Sequence, residues 1–170
     1  MTHDPVSSVE PAGLLVRDDS GAYRPAAVDE VLHAAQALLS AQVRGQEVMS
    51  SPQIVRDFLR VRLGALEHEV FAVLMLDAHH ALLDHVELFR GTVTQSTVYP
   101  REVVKECLLR NAAAVILVHN HSSGCPDPSR ADRSLTEKLT GAVGLIDVQV
   151  LDHLIVAGHN ILSFAENGLI

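Results

Sequence analysis

The chain has 170 residues, 48% of them hydrophobic and 20% charged, with a formal net charge of −8 at pH 7. That length supports one domain with a real core and is short for two. No apolar run approaches the roughly 20 residues that cross a bilayer, and the acidic balance argues against the clustered basic face of a duplex-binding protein.

The opening residues MTHDPVSSVEP have neither a basic stretch nor an apolar one, so a secretory signal is not expected. Cys107 and Cys125 are the only cysteines, which suits a reducing cytoplasm better than a disulfide scaffold. Residues 88–140 carry a small basic excess between acidic flanks. It reads first as solvated surface, with a basic rim for acidic or peptide substrates as the alternative.

In chain order, residues 1–24 are polar and aperiodic and read as a loose arm; with the helix that follows, residues 1–50 form one segment and 51–170 the domain proper. From Pro25, Val28, Val31, Leu32, Ala35, Leu38 and Leu39 share one helical face. Ser51-Pro52 has the pattern of an N-cap followed by proline in the first turn, and Ile54, Val55, Phe58, Leu59 and Leu63 continue as an apolar stripe ended by Gly64. Val70–Leu76 is a continuous apolar run too short for a good helix, and reads as a buried strand. Asp77–His80 turns it into a second strand, Leu82–Leu88, and Arg90–Val93 forms a short third. Pro100 opens a helix to about Asn111. Ala112–Val118 is a further buried strand, followed by a helix near 130–143 and strands near 148–157 and 161–164. The expected fold class is α/β, a mixed sheet flanked by helices.

The chemistry concentrates in His119-Asn-His121-Ser-Ser-Gly-Cys-Pro-Asp-Pro-Ser129-Arg-Ala-Asp132. Side chains at i and i+2 of an extended chain point the same way, so His119 and His121 can present two imidazoles together. Asp132 falls in the first turn of the next helix, and the intervening loop lets it fold back. Two His and one carboxylate suit Zn²⁺ and leave a fourth tetrahedral position for water, the catalytic rather than the closed structural arrangement. Each half is bland alone: His-x-His is a weak signal, and Ser-x-x-Asp is an ordinary capping box. Their conjunction carries the reading, with His-x-His leaving a buried strand and Ser-x-x-Asp opening a helix eight residues later.

His119-x-His121 followed by Ser129-x-x-Asp132 resembles the JAMM (JAB1/MPN+) metalloprotease motif. Gly91-Thr-Val, Val98-Tyr-Pro-Arg-Glu-Val, Pro128-Ser-Arg-Ala-Asp132 and Leu151-Asp-His-Leu-Ile-Val156 are similar to the RadC-type branch, over roughly residues 52–170. The resemblance implies a cytidine-deaminase-like JAB/MPN fold, one Zn²⁺ per chain on His119, His121 and Asp132, and hydrolysis of a peptide or isopeptide bond. It places the general base at Glu69, with Glu67 the nearest rival, and gives Ser129 a second role as oxyanion donor. The chain departs from the usual pattern at Ser122, where the family has Pro, and residues 1–50 match no helix-hairpin-helix segment.

Three functions follow as expectations. The first is a zinc metallopeptidase with an unidentified protein or peptide substrate. The second is a non-catalytic zinc-binding accessory factor linked to DNA repair or mobile elements, and the third a metal-free interaction module. The intact ligand set favours the first, while the acidic charge disfavours direct nucleic-acid binding. A homo-oligomer is left open. Cys125 reads as an incidental loop cysteine, His79 and His80 as turn residues, and Asp152-His153 as structural hydrogen bonding near the sheet.

Overall fold

The computed structural model of the protein describes residues 13–43, 52–91 and 98–170. Its elements are β1 Leu15–Arg17, β2 Tyr23–Pro25, α1 Val28–Val43, α2 Pro52–Leu63, β3 Glu69–Leu76 and β4 Leu82–Gly91, then α3 Pro100–Arg110, β5 Ala114–Asn120, α4 Arg130–Gly144, β6 Gln149–Ala157 and β7 Asn160–Ser163. Five strands form one sheet in the order β4-β3-β5-β6-β7. β5 and β6 run parallel across the α4 crossover, and every other neighbouring pair is antiparallel. This is the expected mixed sheet flanked by helices.

β3 and β5 are central, and Val70–Leu76 and Ala114–Asn120 are buried throughout, which is why Val70–Leu76 and Ala112–Val118 read as apolar runs. Alternation divides their side chains between two cores. Val70, Ala72, Leu74, Leu76, Ala114, Ile116 and Val118 meet Val55, Phe58, Leu59 and Leu63 of α2. Phe71, Val73, Met75, Val115 and Leu117 meet Val103 and Cys107 of α3 and Leu139 and Val143 of α4. The same alternation sends His119 toward α3 and α4 and Asn120 toward α2. At Gly64, where α2 stops, a Cβ would lie 2.6 Å from the carbonyl oxygen of Gly158, so only glycine allows this approach to the β6–β7 turn. Arg60 Nε reinforces the junction by donating to the His159 carbonyl at 2.9 Å.

Several expectations change. Part of the supposed loose arm is ordered: β1 and β2 pair antiparallel, and the Asp18 carboxylate accepts from the backbone N–H groups of Ser20 and Ala22 in their turn. The α1 stripe is only half covered: Val31, Ala35 and Leu39 are partly buried and Val43 is buried, whereas Val28, Leu32 and Leu38 are open. The helix rests mainly on α2, so periodicity located it and the covered edge of its stripe but not the open edge. The expected third strand is the end of β4, which runs through Gly91; Thr92 and Val93 lie outside the described residues, as does the Ser51 cap. Both cysteines are free. Among the described residues no helix is long and apolar enough to cross a membrane.

Candidate metal centre

β5 delivers the first two groups of the site. His119 is its penultimate residue, 8% exposed, and its ring stacks on Phe71 of β3. His121 follows just beyond the strand and is held by its own N–H, which donates to the Val156 carbonyl at 2.9 Å. The loop then reverses through Gly124, whose φ of +77° suits glycine, and the Cys125 carbonyl accepts from His121 Nδ1 at 2.7 Å.

α4 supplies the third group. Ser129 caps it: the hydroxyl accepts from the Asp132 N–H at 3.1 Å, and Asp132 Oδ2 accepts from the Ser129 N–H and hydroxyl at 2.7 and 2.6 Å. The capping box thus orients the carboxylate, with Oδ1 nearest His119 and Oδ2 nearest His121. His119 Nε2 is 2.9 Å from His121 Nε2 and 3.3 Å from Asp132 Oδ1, while His121 Nε2 is 3.6 Å from Asp132 Oδ2.

These spacings fit a single ion. Ligands at zinc's usual bond lengths and tetrahedral angles stand about 3.3 Å from one another. The three residues offer one ligand atom each, all mutually within 4.8 Å. Because the Cys125 carbonyl can only accept, His121 carries its proton on Nδ1, and its Nε2 lone pair faces the cluster when the ring is neutral. Two imidazole nitrogens and a carboxylate converging on one point form a group that could hold a metal ion.

The electrostatics agree. Burial works to raise the Asp132 carboxyl, but the adjacent His119 and His121 rings and the Ser129 hydroxyl outweigh it and hold the group far below the usual carboxylate range. The Asp132 carboxylate, helped by the Cys125 carbonyl, raises His121 above its ordinary value against burial. Burial, followed by the neighbouring His119, pushes His153 down to about 3, so that ring is neutral at physiological pH.

A cleft of about 910 Å³ opens over the three residues. Glu69, Ser129 and Lys138 line it together with an apolar wall of Phe71, Phe89, Val98, Tyr99 and Pro100. Phe71 pairs with His119 across the β3–β5 ladder, and continuing that antiparallel register brings Glu69 level with His121. Glu67 is exposed before the strand and is not among the cleft's lining residues. Glu87, Glu102 and Glu106 lie in ion pairs with arginines or lysine elsewhere.

Sequence reasoning missed two supporting residues, Asn120 and Thr136, and gave His153 a structural hydrogen-bonding role near the sheet without its partners. Asn120 is 2% exposed and faces away from the histidines it separates. Its side chain accepts from the Val70 N–H at 2.7 Å and donates to the His68 carbonyl at 2.9 Å, fixing the backbone on both sides of Glu69. His153 contacts His119, and Thr136 contacts His153. The signal for Asn120 and His153 was a polar residue inside an otherwise apolar strand; Thr136 gave none. The Asp152-His153 phrase divides in function, because Asp152 is a staple that accepts from the Ala165 N–H and the Ser163 hydroxyl.

Residues 49–169 match the family described as RadC-like JAB domain. The UPF0758 protein of Leptothrix cholodnii is 52% identical over 161 residues, covering 95% of this chain and 72% of the relative. That of Aromatoleum aromaticum is 54% identical over 151 residues, covering 88% of this chain and 67% of the relative. That of Nitrosomonas eutropha is 49% identical over 150 residues, again 88% and 67%. The names of these relatives state no activity.

Proposed function

Since the chain belongs to the RadC-like JAB domain family, we propose that it is a zinc-dependent hydrolase of peptide or isopeptide bonds, with His119, His121 and Asp132 as ligands. The observation that carries this reading is the convergence of two imidazole nitrogens and a carboxylate at ligand spacing, on the floor of a cleft also lined by a glutamate and a serine. The arrangement uses three protein ligands, which is the open set of catalytic rather than structural zinc.

When bound, zinc supplies Lewis acidity, polarising a carbonyl and making water nucleophilic near neutral pH. Glu69 takes the proton that the attacking water loses and returns it to the departing amine. The Ser129 hydroxyl is held in place by the Asp132 N–H, and by rotating its proton away from Asp132 Oδ2 it can donate to a developing oxyanion. Asn120 keeps Glu69 in register by anchoring the neighbouring backbone. The apolar wall from Phe71 to Pro100 accepts side chains of an extended segment, so the partner is a protein or peptide substrate.

Zinc content and cleavage together test the reading. Purified protein should hold about one zinc per chain, and His119→Ala, His121→Ala or Asp132→Ala should each lose most of it. Incubated with a proteome-derived peptide library, the zinc-loaded protein should generate new amino termini that Glu69→Gln does not, although that variant keeps its zinc. Glu67→Gln should be nearly silent. Full zinc retention after both histidines are replaced would overturn the metal assignment. Zinc binding with no cleavage would transfer the chain to the accessory-factor reading.

A further inference from the structure

His153 is wholly buried on β6, with Phe71 and Phe164 against its ring at centroid distances of 5.8 and 4.7 Å. Both of its nitrogens are engaged. Nε2 lies 2.8 Å from His119 Nδ1, and Nδ1 lies 2.6 Å from Thr136 Oγ1. The direction of these bonds follows from their far end. Thr136 Oγ1 is 2.7 Å from the Asp132 carbonyl oxygen, which can only accept, so the hydroxyl proton goes there. The hydroxyl oxygen then accepts from His153, which places the His153 proton on Nδ1.

A fully buried ring between two phenylalanines, hydrogen-bonded to no carboxylate, is neutral. Its Nε2 is therefore a bare acceptor and takes the hydrogen bond from His119 Nδ1–H. His119 is left with a lone pair on Nε2, the atom 3.3 Å from Asp132 Oδ1 and 2.9 Å from His121 Nε2. The path runs from the Asp132 backbone on α4, through β6, to β5, and returns to the Asp132 side chain. We propose that His153 and Thr136 are positioning residues of the metal centre, which together lock His119 in its ligating tautomer and ring orientation. This inference rests on the zinc reading above. Hydrogen-bond partners of this kind typically change metal affinity by about 10–100-fold when removed.

The test uses two readouts on the full chain. Two-bond ¹H–¹⁵N correlation spectra of histidine-labelled, metal-free protein report which His119 nitrogen carries the proton, and competition with a chelator reports zinc affinity. Wild type should show His119 protonated on Nδ1 alone. His153→Leu and Thr136→Val should give a mixture of tautomers and bind zinc about 10–100-fold more weakly. His153→Gln, whose side-chain oxygen can replace Nε2 as acceptor, should recover most of that loss. A wild-type His119 protonated on Nε2 overturns the proposal. So do folded Leu and Val variants that keep the single tautomer and bind zinc within about twofold of wild type, well inside the expected change. If His153→Leu fails to fold, Thr136→Val, which preserves shape, decides. Wild-type protein that binds no zinc brings down the zinc reading, and the His119 tautomer then decides the relay by itself.

Discussion

The two faces of the sheet are built to different ends. On the α2 face, aliphatic side chains and Phe58 fill the core, and the one buried side-chain amide among the described residues, Asn120, binds backbone only. On the α3–α4 face, the core is interrupted near the end of β5 by His119, His153 and Thr136, which are hydrogen-bonded in series. One face supplies burial; the other trades some of it for a fixed polar network. The comparison teaches that the same strand serves both purposes, because successive residues of His119-Asn120-His121 point in opposite directions.

A matched pair of deletions separates the faces with the largest expected effect. Leu59 on α2 and Leu139 on α4 are both fully buried. Either leucine replaced by alanine should cost about 2–5 kcal/mol in chemical denaturation. Only Leu139→Ala should also weaken zinc in a chelator competition, since α4 carries Asp132. Equal zinc loss from both would break the division. Next in size is Asn120→Ala, which orphans the Val70 N–H and the His68 carbonyl. A buried group left unpaired costs about 1–3 kcal/mol. Hydrolysis should fall with zinc retained, because Glu69 moves while the ligands stay.

Ser129→Ala should cost about 0.5–2 kcal/mol as a lost cap. If the hydroxyl also serves an oxyanion, turnover drops about a hundredfold or more with zinc still bound; an earlier melt at unchanged turnover would leave it a cap alone. The smallest effect at neutral pH belongs to His85 on β4. It sits edge-on to Phe58, with both ring nitrogens buried and without partners among the described residues. Burial, then Arg62, pushes its pKa down to about 4. The unfolded chain takes up this proton first, near pH 6.5. The stability from keeping His85 neutral is therefore full above that value and is lost as pH falls toward and through about 4. His85→Phe should flatten the decline of melting temperature over that window, and an unchanged slope would refute the assignment.

The candidate ligands were legible because their chemistry is local: two imidazoles at i and i+2, and a carboxylate in a helix's first turn. Strands β3 and β5 were legible because burial on both faces leaves an apolar run that no helix stripe imitates. What escaped depends on partners distant in sequence. His153 meets His119 across 34 residues and Asn120 meets Val70 across 50, through pairings that no window on the chain contains. The open edge of α1 escaped for a related reason, since periodicity reports which residues share a side and is silent on what, if anything, lies against it.

Two tight turns end strand pairs in this sheet, each with a residue at φ +58°: His80 between β3 and β4, and Gly158 between β6 and β7. They differ in what they can tolerate. The first is tied within itself by the Asp77 carboxylate, and Ala78 and His79 stand exposed beyond it. Added residues there would extend into solvent at the small entropic cost of a longer loop. The second lies under the end of α2, with Gly64 and Arg60 against it, and a single inserted residue would prise that helix from the sheet. A fluorescent label or affinity tag therefore belongs between Asp77 and His80, where it can report on the protein without loosening it.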